Sequence, residues 1–250
     1  MSRAGWLRLG LISAAVLALE LLCRTGVIAP LTLIAPSQMA QALGRLIAAG
    51  TVTGDAAKTF GNVALALALA VSLGFAAGVV LHGLPRLRRV LDLLFAGYYA
   101  VPFFVFYPLL IVLFGLNDWP IVAIGFLFGV VAMVVNTLDG LDRIPPVLLK
   151  VGRVHRLGPL RTALLITLPA SAPHLFTGVK LVVAYAFIGV IAAEFILSGA
   201  GLGYAIAYAY NNFDNRTMYA LMLLVLVAVT AVNTVLHVWE RRWYARRGER

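Results

Sequence analysis

Cysteine, charge and long polar stretches are what this chain has little of. A single cysteine, Cys23, stands among 250 residues, so the chain can form neither an internal disulfide nor a cysteine metal site. Charged residues make up 12% of it, and only 10 are acidic, too few to solvate the surface of a water-soluble domain of this length. No Gly-x-x-x-x-Gly-Lys-Ser/Thr segment is present to cradle phosphates, so the chain is not expected to hydrolyse ATP. Gly199-Ala200-Gly201-Leu202-Gly203 is glycine-rich, but Tyr204 stands where the dinucleotide fingerprint needs its third glycine. His82, His155, His174 and His237 are scattered without ligand spacing, and Ser198 is far from all of them. No catalytic residue, metal or cofactor is expected, and enzyme chemistry is disfavoured.

What fills the chain is apolar side chain, 62% of the residues, with a mean hydropathy of +0.96. A membrane-crossing helix needs about 20 mostly apolar residues. Six runs qualify, at about 7–28, 60–81, 92–115, 119–138, 175–197 and 217–239. No linker or break in composition divides them, so the reading is all-α: one polytopic membrane domain over 1–250. A secondary carrier or channel is the alternative to an ATP-driven subunit. Carriers usually show repeats and interrupted spans in matching halves, which this sequence does not.

The net charge of +10 follows topology rather than nucleic acid. With an inner N-terminus, the inner segments hold fifteen cations: Arg3, Arg8, Arg86, Arg88, Arg89, Arg143, Lys150, Arg153, Arg156, Arg161, Arg241, Arg242, Arg246, Arg247 and Arg250. The outer segments hold four, Arg24, Arg45, Lys58 and Arg216, with Lys180 inside a span. That bias places both termini in the cytoplasm. Trp6, Trp119, Trp239 and Trp243 fall near span ends, at headgroup level. Glu20, Leu21 and Leu22 before Cys23 fit no small-residue cleavage site, so the first span is expected to be retained.

Between the first two spans, Ser37 is expected to cap a short interfacial helix over Gln38–Ala49. Gly74-x-x-x-Gly78 in the second span permits a close helix contact. Pro102 and Pro108 are expected to kink the third span, as a gate would need or as a purely structural bend. The longest internal polar segment is Gly140–Pro173, basic and punctuated by proline. Asp142 is expected to cap a helix with Pro145 and Pro146 in its first turn, carrying Val147, Val151 and Val154 at helical spacing. Gly158-Pro159 should break it. A second short helix, Leu160–Thr167, should stop at Pro169, and Pro173 should open the next span. Such a bent, cationic pair suits a groove on a partner protein or an anionic lipid surface.

At this segment the chain resembles the permease subunits of bacterial binding-protein-dependent ABC importers. Their cytoplasmic loop bears a motif of Glu-Ala-Ala, three residues, Gly, nine residues and Ile-x-Leu-Pro. Ile166, Leu168 and Pro169 match its end and Gly152 stands at the second alanine, while Lys150, Val151 and Arg156 replace the glutamate, first alanine and glycine. Ala35-Pro36-Ser37, Pro102, Pro108-Leu109, Phe114-Gly115, Asn136-Thr137, Pro173, Thr177-Gly178, Glu194 and Gly201-Leu202-Gly203 follow the order of the nitrate/sulfonate/taurine-type group. The resemblance implies a type I importer permease fold with cytoplasmic coupling helices in the bacterial inner membrane. It implies a second permease copy, two cytoplasmic ATPase subunits that bind the ATP, and a periplasmic solute-binding protein, working by alternating access. Membrane lipid is the remaining partner, and nucleic acid is not one.

On that resemblance, Leu148, Leu149, Val151 and Leu157 would pack against the ATPase, with Lys150, Arg153 and Arg156 orienting the contact and Gly152 within it. Lys150 reverses the charge of the family's glutamate, which calls for an acidic partner surface. Pro102, Pro108, Glu194, Gly201, Gly203 and Tyr204 are the candidates for the pathway and its gating. Tyr204, Tyr208 and Tyr210 could line an outer mouth or form an interfacial aromatic belt. Lys180 and Glu194, fourteen residues apart and so about 21 Å along a helix, cannot pair with each other; each is close enough to a face to snorkel. The solute is a small polar one, nitrate-, sulfonate- or taurine-like or a thiamine-precursor pyrimidine. Cysteines placed at Arg88 and Arg247 should stay shielded from an impermeant thiol label added outside intact cells; ready labelling of either would invert the topology.

Overall fold

The computed structural model describes residues 3–29 and 31–247. Pro30 at the start of the expected outer loop and Arg250 among the inner cations lie outside the described residues, as do the side chains of Arg3, Arg8, Arg246 and Arg247. The described residues form helices and no strand: α1 (Arg3–Arg24), α2 (Pro36–Ala48), α3 (Thr53–His82), α4 (Pro85–Gly97), α5 (Tyr107–Phe114), α6 (Trp119–Asp142), α7 (Pro146–Val154), α8 (Pro159–Thr162), α9 (Leu168–Leu197), α10 (Leu202–Asn211) and α11 (Asn215–Arg247). Among them α3, α6, the α8–α9 run Pro159–Ile196 and α11 are long and apolar enough to cross a membrane, and α4–α5 makes a fifth if counted as one broken span. α1 occupies the stretch expected as the first span. The expected count of six is therefore approximate.

Four local expectations need correction. The third span does bend at Pro102, but as a broken pair at 90° rather than a kinked continuous helix. The break falls at Val101-Pro102, because Pro102 lacks the N–H that would continue the ladder and restricts the residue before it. Pro108 bends nothing; it sits in the first turn of α5, where a missing N–H costs little. The chain also does not stop at Pro169. α8 runs through a π-helical turn, Ala163–Thr167, into α9, and Pro173 lies inside that helix. A π turn re-spaces the backbone hydrogen bonds around a proline, which is how membrane helices tolerate one.

The remaining two concern caps. Ser37 does not cap α2, whose first residue is Pro36 and whose cap position is Ala35. Its N–H and hydroxyl instead donate to the Glu20 carboxylate, at 3.0 and 2.6 Å. Asp142 does not cap α7; it ends α6 and accepts two hydrogen bonds from the Arg88 guanidinium, at 2.7 and 3.0 Å.

The chain divides into two compact units, residues 59–193 with 229–250, and residues 1–58 with 194–228. In the larger unit α6 is the buried centre. An apolar core of Val63, Ala66, Ile121, Ile124, Val183, Ala186 and Val190 surrounds it. Lipid supplies no hydrophobic drive between helices, so contact depends on small residues that let backbones approach. The Gly74-x-x-x-Gly78 pair does this against α6: a Cβ at Gly74 would lie 2.8 Å from the Met133 Cβ, and one at Gly78 would lie 2.6 Å from the Thr137 Cβ. On its other side, Cβ atoms at Gly125 and Gly129 would meet Val190 at 2.7 Å and Val182 at 2.9 Å of α9. α9 and α11 are joined by the Lys180–Glu240 ion pair, so Lys180 has a fixed partner rather than only a path to the surface. Phe176 packs edge-on against Trp239 and Trp243.

In the smaller unit, Glu20 binds Arg24 one turn on, at 2.5 Å, and holds Ser37 of α2. The start of α11 is tied down by Asn215 Nδ2, which donates to the Leu31 carbonyl at 2.5 Å, and by the Tyr219 hydroxyl, which donates to that of Thr32. Asp214 accepts from the Thr217 N–H at 3.1 Å, and hydrogen bonds from Thr217 hold its carboxyl below the usual range. Gly78→Leu should destabilise the chain by about 1–3 kcal/mol through overpacking, read as a lower unfolding midpoint in detergent. Gly61→Ala, where a Cβ meets nothing within 4 Å, should leave that midpoint unchanged or slightly raised.

Candidate functional site

The basic segment after α6 folds back on itself. α7 begins behind Pro145 and Pro146, and its residues are exposed on every side except at Gly152. Val147, Leu148, Leu149, Val151 and Val154 all present apolar surface, with Val154 78% exposed. Lys150 and Arg153 interleave with them and are exposed too. The surface is thus mixed, apolar with cations, and left exposed by the described residues.

Gly152 does not belong to that exposed surface. A Cβ there would lie 2.9 Å from Ile166 Cδ1 and 3.6 Å from Thr162. The two ends of the sequence motif, Gly152 and Ile166, therefore meet in space and set the spacing between α7 and the α8–α9 run. Leu168 and Pro169 follow in the first turn of α9, both half-buried.

α7 ends earlier than Gly158-Pro159, the expected break. Its last residue is Val154, and Arg156 lies in the left-handed region at φ +49°. The Leu157 N–H donates to the Gly152 carbonyl at 2.9 Å and the Arg156 N–H to that of Arg153 at 3.0 Å. That pair of bonds is the Schellman closure, in which the left-handed position is usually glycine. It is also the position at which this sequence replaces the motif's glycine with arginine. Leu157, next along, is half-buried.

The pathway candidates belong to both units. Pro102 and Pro108 are exposed around the α4–α5 break. Glu194, Gly201, Gly203 and Tyr204 come together in the smaller unit. Glu194 is completely buried, and its carboxylate accepts from the Gly203 N–H at 3.1 Å. Gly201 sits at φ +102°, and a Cβ there would fall 2.5 Å from the Glu194 carboxyl carbon. Its N–H donates to Asp55 Oδ1 at 2.8 Å. Two carboxylates thus receive the first amides of α10, where helix polarity favours negative charge. α10 itself was not expected from the sequence. It carries Tyr204, half-buried and tilted against Tyr208 with ring centroids 6.1 Å apart, and leaves Tyr208 and Tyr210 exposed.

The sequence profile of the family described as "binding-protein-dependent transport system inner membrane component" matches residues 70–247. The bicarbonate transport system permease protein CmpB of Synechocystis is 30% identical over 62% of this chain and 55% of its own length. The nitrate import permease protein NrtB of Leptolyngbya laminosa is 27% identical over 70% of this chain and 62% of its own. The chain thus spans just over half to under two thirds of the length of these two relatives. The putative aliphatic sulfonates transport permease protein SsuC of Bacillus subtilis is 25% identical over 96% of this chain and 87% of its own. Among solved structures, a chain of the MetNI methionine ABC transporter superposes with a TM-score of 0.67 at 16% identity, over 77% of this chain and 95% of that one, which shows a shared fold. Arg156→Gly should relieve the left-handed strain by about 1 kcal/mol and slow amide exchange at the end of α7 by about fivefold; unchanged or faster exchange would mean that the arginine is held there by contacts worth more than the strain.

Proposed function

Because the chain belongs to the family of binding-protein-dependent transport system inner membrane components, a family of multi-pass membrane proteins, we propose that it is the permease subunit of an ATP-driven importer for a small polar solute. The observation that carries this reading is the α7–α8 loop. It carries exposed apolar side chains, Leu148, Leu149 and Val151, interleaved with cations on a helix fixed to the spans. Apolar side chains flanked by cations transmit force when a partner covers them, because packed contacts resist displacement while charges fix the register.

In this mechanism two copies of the chain form the pathway and each α7 docks on one of two cytoplasmic ATPase subunits, which bind the nucleotide. Closure of the ATPase pair draws the two loops together and alternates access across the membrane. A periplasmic binding protein delivers the solute. Both termini lie in the cytoplasm, consistent with the weight of cations on that side. The surface facing Lys150 is acidic on the partner, since the cation stands where the family carries a glutamate. The names of the relatives span bicarbonate, nitrate and aliphatic sulfonates, and specificity in this design rests largely with the binding protein.

The test is a mild-detergent pull-down of the tagged chain from its host. A soluble ATPase recovered in equal amount supports the reading, and a pure oligomer of this chain would instead favour a carrier or channel. Leu149→Glu should then uncouple ATP hydrolysis from transport without lowering the unfolding midpoint. Gly152→Leu should do so while also loosening the loop, because it collides with Ile166. Intact coupling in Leu149→Glu would remove α7 from the interface.

A further inference from the structure

The larger unit holds a cavity of about 400 Å³ away from the α7–α8 loop. Its walls bring together Asp92, Phe95 and Tyr99 from α4 and the turn after it, Asn136 from α6, and Leu181 and Tyr185 from α9. The volume suits a single-ring molecule. Three features of the wall define what that molecule can be.

The first is charge. Asp92 is the cavity's one charged side chain, and no lysine, arginine or histidine lines it. Arg88 has its Nε 4.0 Å from Asp92 but commits its terminal guanidinium nitrogens to the two oxygens of Asp142. Asp92 is 54% exposed at the cavity's open side, so the protein neutralises its charge only in part and a ligand meets it at the entrance.

The second is the ring pair. Tyr99 and Tyr185 stack with centroids 4.9 Å apart and planes at 27°. They come from separate helices, so the pair can part around, or extend over, a third flat ring. Tyr99 is braced from behind by Tyr98, edge-on at 5.6 Å, whose hydroxyl donates to the Leu127 carbonyl at 2.7 Å. The third feature is hydrogen bonding. Asn136 Nδ2 donates to the Ala132 carbonyl at 2.8 Å, which fixes the amide and leaves Oδ1 as an acceptor. With Asp92, the cavity offers acceptors and aromatic faces; its donors are neutral ones, the tyrosine hydroxyls and the second Asn136 N–H, and it holds no cation. An oxyanion would meet the Asp92 charge with no lining cation to offset it, whereas N–H groups and positive charge match acceptors and ring faces.

We propose that this cavity is a solute-contact site for a planar, conjugated molecule bearing N–H donors, neutral or cationic, and that it disfavours oxyanions. As a statement about transport it rests on the permease reading above; as a binding site it does not. The α4–α5 break shapes the site, since α4 carries Asp92 and Phe95 on one arm of the bend.

The experiment uses the full chain with its co-purified partners in lipid nanodiscs. Benzamidine serves as the planar cationic probe and nitrate as the oxyanion, with binding read by calorimetry and saturation-transfer NMR. Benzamidine should bind and nitrate should not compete with it. Tyr185→Leu and Asp92→Asn should each weaken benzamidine by about tenfold, with unfolding midpoints unchanged. Nitrate competing at equal affinity, no benzamidine binding, or binding indifferent to both substitutions would overturn the proposal. Absence of an ATPase among the co-purified proteins would count against the permease reading alone, since binding to the chain is measured regardless.

Discussion

The larger unit depends on backbones coming closer than any side chain allows. In lipid, two helices gain nothing from hiding apolar surface, because the tails they leave are as apolar as the neighbours they meet. Dispersion contacts and small residues must do it instead. α6 meets α3 across Gly74 and Gly78 and meets α9 across its own Gly125 and Gly129. From the α9 side, a Cβ at Gly178 would lie 2.9 Å from the Asn136 Cβ. With α6 locked on both flanks, its last turn is fixed as well. Asp142 there is held by Arg88 at 2.7 Å and lies 3.2 Å from His82. α7 starts four residues later, so the polar loop grows from a rigid base rather than from a free chain end.

That base gives the loop its mechanical character. Gly152 seats against Ile166, so α7 cannot tilt without moving the start of the α8–α9 run. The π-helical turn at Ala163–Thr167 connects the loop to α9 without a hinge. A partner that pushes on Leu148 and Leu149 therefore pushes on a spanning helix. Arg156 runs against local preference, since a non-glycine residue pays to sit in the left-handed region. A second such closure caps α10, where Phe213 takes φ +56° with its ring 86% exposed. In both places the backbone turn is set by the Schellman hydrogen bonds, and the side chain is left pointing outward at little packing cost.

The parts of this arrangement that could be read from the sequence are those encoded by period and composition. The apolar runs of α3, α6, α9 and α11 declare themselves, and Gly74-x-x-x-Gly78 marks a contact surface. The exposed valines and leucines of α7 follow from helical spacing. What could not be read depends on partners distant in the chain. Ser37 has a fine sequence for a cap, yet its hydroxyl goes to Glu20, seventeen residues back. Asp142 likewise ignores the amides ahead of it for Arg88, 54 residues away. Proline has several meanings here: Pro108 sits in the first turn of α5, Pro169 is carried within the α8–α9 run just after its π turn, and Pro102 breaks the third span. α10 escaped notice because its ten residues are too short for a span and too apolar to stand out as amphipathic.

The carboxylates divide by what they are already bound to, and this decides which can meet a solute. Glu194 is wholly enclosed, with the Gly203 amide on it and Gly201 packed so tightly that a methyl group would strike the carboxyl carbon. Asp55 is likewise taken up by the Gly201 amide. Both charges serve the first turn of α10, where unpaired amides would otherwise be costly away from water. Glu20 is divided between Arg24 and Ser37, and Glu240 is held by Lys180. Each of these acids has its charge matched within its own unit, so a solute would have to displace a protein donor to reach it. Asp92 differs: its one nearby cation stands at 4.0 Å and already serves Asp142. It also faces a cavity with aromatic walls. A charge that the protein leaves half-matched beside open volume favours a ligand that completes the match, and the sign of that charge selects against anions before any binding contact forms.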